Sequence, residues 1–200
     1  MYTAIILAAG EADRMGKLKQ LLPWKDKTIL ETVIDNVLES EYIDDEIRVV
    51  LGAEAERVKE KIDYYEDERF RVKENPDYKE GMSSSLQTGI KYLSENTKNL
   101  IIFLGDQPLI TSDIFDKLIN RFEETSSEIM LPSYNEKPGH PVIISTKFLP
   151  EIKKLDGAMG LKPFLDEHED LVEHYSINDK KVIIDLDYYE DYQYYKNKYD

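Results

Sequence analysis

The sequence contains no cysteine. Disulfides and thiolate metal sites are excluded, and the cytoplasm is the expected compartment. No window approaches the run of about 18 apolar residues that a membrane span needs. The N-terminus has no basic leader, and its apolar run is too short for a secretory signal. Membrane partners are therefore not expected. Positive charge is scarce: 26 Lys and Arg stand against 41 Asp and Glu, a net charge of −15. That balance repels polyphosphate backbones and argues against nucleic-acid binding. Of the 3 histidines, His168 and His174 lie six apart, which fits neither H-E-x-x-H nor one helical face, and both read as surface residues. The run Ser83-Ser84-Ser85 lacks the glycines of G-x-S-x-G, so a serine hydrolase is not expected. There is no repeat and no low-complexity linker, so one domain is expected over residues 1–200.

Strand-like runs alternate with helical periodicity. Strands are expected at Thr3–Ala9, Ile47–Leu51, Phe70–Glu74, Leu100–Leu104, Ile129–Leu131, Pro141–Ile144, Leu171–Tyr175 and Val182–Leu186. The runs at 3–9 and 100–104 are almost wholly apolar, as in strands covered on both faces. Thr28–Glu39 carries apolar residues at 29, 30, 33, 34, 37 and 38, with capping-box spacing between Thr28 and Glu31. Further helices are expected at Ala55–Ile62, at Leu86–Leu93 and around Ile114–Phe122, the last preceded by Thr111, Ser112 and Asp113 as cap candidates. Tyr188, Tyr192, Tyr195 and Tyr199 would line one face of a terminal helix packed on the core. This alternation predicts a single Rossmann-like, three-layer α/β domain with a mostly parallel central sheet. Ligands in such sheets bind beyond the carboxyl ends of the strands.

The first such end is Leu7-Ala8-Ala9-Gly10. Its small side chains let a ring or a phosphate approach the backbone N–H groups. From Gly10 to Lys27 there are five basic residues against three acidic ones, a positive loop on a negative protein. Arg14 and Lys19 could neutralise phosphate oxygens, each bond contributing roughly 1.5–3 kcal/mol. Lys17, Lys25 and Lys27 read as solvated. The loop is not a P-loop, because five residues separate Gly10 from Gly16 and Leu18 stands where a metal-binding hydroxyl belongs. Taken alone, glycine and basic residues after a strand equally describe a tight connection with incidental charges. Asp106 follows the apolar run at 100–104, and Asp185 and Asp187 follow Val182–Ile184. Carboxylates at strand ends could bind one or two Mg²⁺ through hard oxygens. The same residues could serve as turn formers or helix caps.

Leu7 to Pro23 spells L-A-A-G-x-x-x-R-M-G-x-x-K-x-L-L-P in full. This stretch resembles the nucleotidyltransferases related to molybdenum cofactor cytidylyltransferase and molybdopterin guanylyltransferase. Asn75-Pro76 with Gly81-Met82-Ser83-Ser84-Ser85-Leu86 resembles their N-P and G-M-x-x-S-L segment. Leu104-Gly105-Asp106-Gln107-Pro108 resembles L-G-D-x-P, and Gly139-His140-Pro141-Val142 resembles G-H-P-V. Looser likenesses lie at 156–160 and at 185–192. Ala12 stands where the family has a hydroxyl residue, and Tyr188-Tyr189 replaces its Thr-Pro.

The resemblance implies the nucleotide-diphospho-sugar transferase fold and a Mg²⁺-dependent nucleotidyl transfer. Leu7, Ala8, Ala9, Gly10, Arg14, Lys19, Asn75, Ser85 and Asp106 would bind the nucleotide. Arg14, Lys19 and Asp106 would be catalytic, Asp106 and Asp187 would hold the metal, and His140 would line the acceptor side. Ser85 as a nucleotide contact stands beside Ser83 or Ser84 as a helix N-cap, and His140 beside a buried structural histidine. The Ala-Ala-Gly, G-D-Q-P and G-H-P-V forms resemble the cytidylyl branch. CTP is thus the expected donor and molybdopterin the expected acceptor, with a molybdenum hydroxylase as eventual recipient. Two other readings stay open. One is transfer to a sugar phosphate or another phosphorylated alcohol; the other is a catalytically silent nucleotide-binding module that delivers cofactor.

Overall fold

A computed structural model of the chain describes residues 1–11 and 18–199. Ala12 and Arg14 therefore lie outside the described residues. The strands are β1 (Tyr2–Ala8), β2 (Pro23–Trp24), β3 (Lys27–Thr28), β4 (Ile47–Leu51), β5 (Phe70–Glu74), β6 (Asn99–Leu104), β7 (Ile129–Tyr134), β8 (Lys137–Pro138), β9 (Val142–Ser145) and β10 (Val172–Ser176). The helices are α1 (Ile29–Leu38), α2 (Ala55–Ile62), α3 (Met82–Gly89), α4 (Ser112–Glu124), α5 (Leu149–Ile152), α6 (Lys162–Glu167) and α7 (Tyr189–Tyr199). Among the described residues one sheet runs in the order β10-β7-β9-β6-β1-β4-β5, with β8 paired to β7 beside that path. Pairing is parallel except where β9 meets β6 and β7 and where β8 meets β7. The carboxyl ends of β1, β4, β5, β6, β7 and β10 therefore share one edge.

The period-2 alternation of β1 builds two apolar layers. Ala4, Ile6 and Ala8 pack with residues of α1, α2 and α4 on one face. Ile5, with Leu7 against it, packs with Leu86 of α3, Ile152 of α5 and Phe164 of α6 on the other. The result is the expected three-layer α/β domain. Thr28 caps α1 with the full capping box: its Oγ1 accepts from Glu31 N–H, and the Glu31 carboxylate accepts from Thr28 N–H. No helix among the described residues is long and apolar enough to cross a membrane.

Three expectations need correction. Val182–Leu186 is not a strand; a 3₁₀ turn covers Lys180–Ile183. Val182, Ile184 and Leu186 are buried by docking rather than by ladder pairing, and the Asp179 carboxylate accepts from Lys181 N–H within the turn. Apolar content alone cannot separate these cases. Helix α3 spans 82–89, not 86–93. It starts directly after Gly81, whose φ of +111° suits glycine. It ends where the buried Arg48 guanidinium collects the carbonyls of Gly89, Lys91 and Tyr92. His168 is not a surface residue: it packs on Phe148 and Phe164 and pairs with Glu151 at 3.0 Å.

Candidate active site

After β1 the chain runs out to β4 and β5, then returns to place β6 on β1's other side. The crevice of a doubly wound sheet opens at such a reversal. Here it lies between Ala8-Ala9-Gly10 and Gly105-Asp106. Leu7 is in register with Leu104, and the Gly105 N–H donates to the Leu7 carbonyl at 2.9 Å. A Cβ on Gly105 would come within 2.8 Å of the Ala8 Cβ, so glycine is required where the two loops touch.

The crevice holds a cavity of about 290 Å³, lined by Leu7 through Glu11, Lys19, Gln20, Tyr78, Gly81, Met82, Ser85, Leu104 through Asp106 and Ala158. The expected nucleotide-binding positions Leu7, Ala8, Ala9, Gly10, Lys19, Ser85 and Asp106 thus come together. Asn75 lies behind them. Its buried amide donates to Ser84 Oγ at 2.9 Å and Ser85 Oγ at 3.0 Å, which sets the Ser85 hydroxyl. Neither Ser83 nor Ser84 caps α3 by its side chain. Ser83 instead donates to the Asp156 carbonyl and so ties the 156–160 loop to the helix start.

Gln20 escaped the sequence reading, because it falls on a variable letter of the first motif. Its Nε2 donates to the carbonyls of Ala8 at 2.8 Å and Gly10 at 3.2 Å, pinning the loop as it leaves β1. Its Oε1 is buried without a partner among the described residues, as is that of Gln107. Gln107 donates to Asp185 at 2.6 Å.

Three carboxylates gather around one ammonium. Lys19 Nζ lies 2.8 Å from Asp187 Oδ1 and 3.2 Å from Asp106 Oδ2. Burial alone would push the Lys19 ammonium down, but Asp106 and Asp187 together outweigh it and hold its pKa above the ordinary lysine value. Burial pushes the Asp106 carboxyl up; Lys19 opposes this, while the charges of Asp185 and Asp187 add to it. Burial likewise raises Asp185, against the Gln107 hydrogen bond. No group of three carboxylate or imidazole side chains forms a ready metal cage among the described residues. Asp106 and Asp187 nevertheless aim oxygens at a shared point, which Lys19 fills.

A second cavity, of about 630 Å³, lies next to the first. Leu7, Met82 and Leu104 line both. The rest of its wall is largely apolar, including Ile102, Leu131, Val142, Leu161, Leu165 and Val172, with Glu136, Lys162, Asp166 and Glu169 among its charged residues. His140 lines it too. Burial lowers the His140 imidazole to about 4, with the Asp106 charge acting the other way, so the ring is neutral at pH 7.

The profile of the MobA-like NTP transferase domain matches residues 4–172. The chain belongs to that family. The molybdenum cofactor cytidylyltransferase of Escherichia coli K12 is 30% identical over 98% of this chain and 95% of its own. A probable molybdenum cofactor guanylyltransferase of Methanosarcina mazei is 31% identical over 76% of this chain and 67% of its own. Among solved structures, a homolog of Mycobacterium tuberculosis Rv0371c from Mycobacterium sp. strain JC1 matches with a TM-score of 0.85 at 27% identity, covering 98% of this chain and 96% of its own.

Proposed function

We propose that this chain, as one domain over residues 1–200, transfers CMP from CTP to the terminal phosphate of a molybdopterin-type acceptor and releases pyrophosphate. The observation that carries the reading is the pair of cavities sharing a wall of Leu7, Met82 and Leu104 beside Lys19 and Asp106. A nucleotide held in the smaller cavity and an acceptor in the larger would meet at that wall. The apolar lining of the larger cavity favours a flat ring system over a sugar, whose hydroxyls need more polar partners. The cytidylyl relative covers nearly the whole chain, which supports CTP over GTP. Nucleoside triphosphates are made and used in the cytoplasm, where the reading puts the reaction. A molybdenum hydroxylase would be the recipient of the product.

An acceptor phosphate oxygen attacks the α-phosphorus; the bond to the β-phosphate oxygen breaks, and its electron pair leaves with pyrophosphate. The nucleophile is already ionised, so no general base is needed, and His140, neutral at pH 7, adds no charge. The barrier is crowding between two anions. Asp106 and Asp187 offer hard oxygens on one point, a donor set that fits Mg²⁺ completed by phosphate oxygens and water. Bound there, Mg²⁺ would screen the charge that builds up on the phosphates. Lys19 lines the nucleotide cavity and adds a positive charge, and Arg14 would take the same task. Ala8, Ala9 and Gly10 supply close backbone, held in place by Gln20.

Pyrophosphate release, measured with CTP, GTP, UTP and ATP in the presence of molybdopterin and Mg²⁺, tests this. CTP is expected to be preferred at least tenfold, a difference of about 1.4 kcal/mol. A clear preference for GTP moves the chain to the guanylyl branch, and no release with any of the four overturns the reading.

A further inference from the structure

The proposed reaction asks Asp106 and Asp187 to hold a divalent ion and asks Lys19 to reach the triphosphate. Both demands fall on one point, because the Lys19 ammonium sits 2.8 Å from Asp187 and 3.2 Å from Asp106. An ammonium and a divalent cation cannot share that point; their charges repel at such range. The lysine backbone is anchored, since its carbonyl accepts from Leu22 N–H at 3.0 Å and its neighbour Gln20 is bonded to the β1 loop. Its four-carbon stem has rotatable bonds beyond that anchor. Lys19 also lines the nucleotide cavity, so phosphate oxygens would lie within its sweep.

We propose that Lys19 is a removable internal counter-ion. Its ammonium holds Asp106 and Asp187 together in the metal-free protein, yields the pair to an incoming divalent ion, and turns to the triphosphate. Metal and nucleotide loading are thereby coupled through one side chain. The inference rests on the metal-dependent reading above.

The test is Mn²⁺ binding to nucleotide-free protein, followed by electron paramagnetic resonance of the free ion. Lys19→Met is expected to bind Mn²⁺ about tenfold tighter than wild type or more. Lys162→Met, which removes the same charge from a lysine bonded to neither carboxylate, is expected to stay within about twofold. Lys19→Gln keeps a donor without the charge and serves if the methionine variant folds poorly; it too is expected to bind tighter. In wild type, a Mg²⁺ titration should shift the Lys19 ammonium ¹⁵N resonance. Unchanged Mn²⁺ affinity in both Lys19 variants, equal tightening in Lys162→Met, or an unmoved resonance would each overturn the exchange. If wild-type pyrophosphate release is metal-dependent while Lys19 variants bind Mn²⁺ no tighter, only the exchange fails. If release needs no divalent ion, the metal reading itself fails.

Discussion

The two ends of the sheet handle buried charge in opposite ways. At the amino ends of the strands the buried guanidinium of Arg48 and the carboxylates of Asp44 and Asp45 are answered from within the protein. Arg48, 1% exposed, gives its Nε to Glu46 at 2.5 Å and its remaining nitrogens to the carbonyls of Gly89, Lys91 and Tyr92. Asp45 accepts from Thr3 and Thr97, and Asp44 accepts from the Tyr2 N–H at 2.7 Å. At the carboxyl ends the count does not close. Two buried glutamine oxygens have no partner among the described residues, and the charges of Asp185 and Asp187 add to burial in pushing the Asp106 carboxyl up. A finished polar network adds rigidity and takes no ligand, whereas an unfinished one costs stability until something binds. The chain keeps its deficit where the cavities are.

Swapping equivalent insults between the two ends should separate their roles. Asp106→Asn is expected to lower kcat/KM for pyrophosphate release by about 10³, near 4 kcal/mol. The same change relieves repulsion within the carboxylate cluster, so the urea midpoint should hold or rise. An inactive variant that is also less stable would make Asp106 part of the scaffold. Arg48→Met should do the reverse. It strands the Glu46 carboxylate and three carbonyls and is expected to cost about 3 kcal/mol in chemical denaturation. Turnover per folded molecule should stay within twofold. A large fall in turnover at unchanged stability would erase the distinction between the edges.

His140 sharpens the contrast through pH. Its ring has no hydrogen-bond partner among the described residues, and burial holds it at about 4 against an ordinary 6.5. Between those values the unfolded chain takes up a proton that the folded chain refuses. Stability should therefore be level above pH 7 and fall as pH drops from 6.5 to 4, by up to about 3 kcal/mol. His140→Leu should flatten that limb. Urea titrations at pH 4.5 and 7.5 measure it, and an acid limb of equal slope in the variant would show that the imidazole is solvated.

Much of this organisation was legible in the residues because the physics behind it is local. Alternation along β1, the stripe on α1 and the Thr28–Glu31 capping box all act within a few residues, and each lies where its spacing put it. Asp106 was legible because an apolar strand that ends in Gly-Asp can point only at the sheet edge. Long-range partnerships were not legible. Lys19 reads as a phosphate ligand, yet it pairs with carboxylates 87 and 168 positions away. Arg48 passes for an ordinary strand residue until α3 brings three carbonyls to it. The segment at 182–186 carried strand-like residues, but its apolar side chains are satisfied by docking and its backbone needs no neighbour strand.

Gln20 stands between the two kinds of network and decides how far the comparison reaches. Its amide is finished on one side, where Nε2 clamps the Ala8 and Gly10 carbonyls, and unfinished on the other, where Oε1 has no partner among the described residues. Gln20→Leu keeps the volume and removes both functions. Two neutral hydrogen bonds lost at about 1 kcal/mol each predict a roughly tenfold to thirtyfold rise in KM for the nucleotide, with kcat changed less than threefold. That split follows from the clamp acting on ground-state positioning of the loop rather than on the reacting atoms. Gln20→Glu should be worse than leucine, since it aims a carboxylate oxygen at two carbonyl oxygens. If Gln20→Leu instead loses stability as Arg48→Met does and leaves KM alone, the clamp belongs to the scaffold, and the unfinished edge begins only at Lys19.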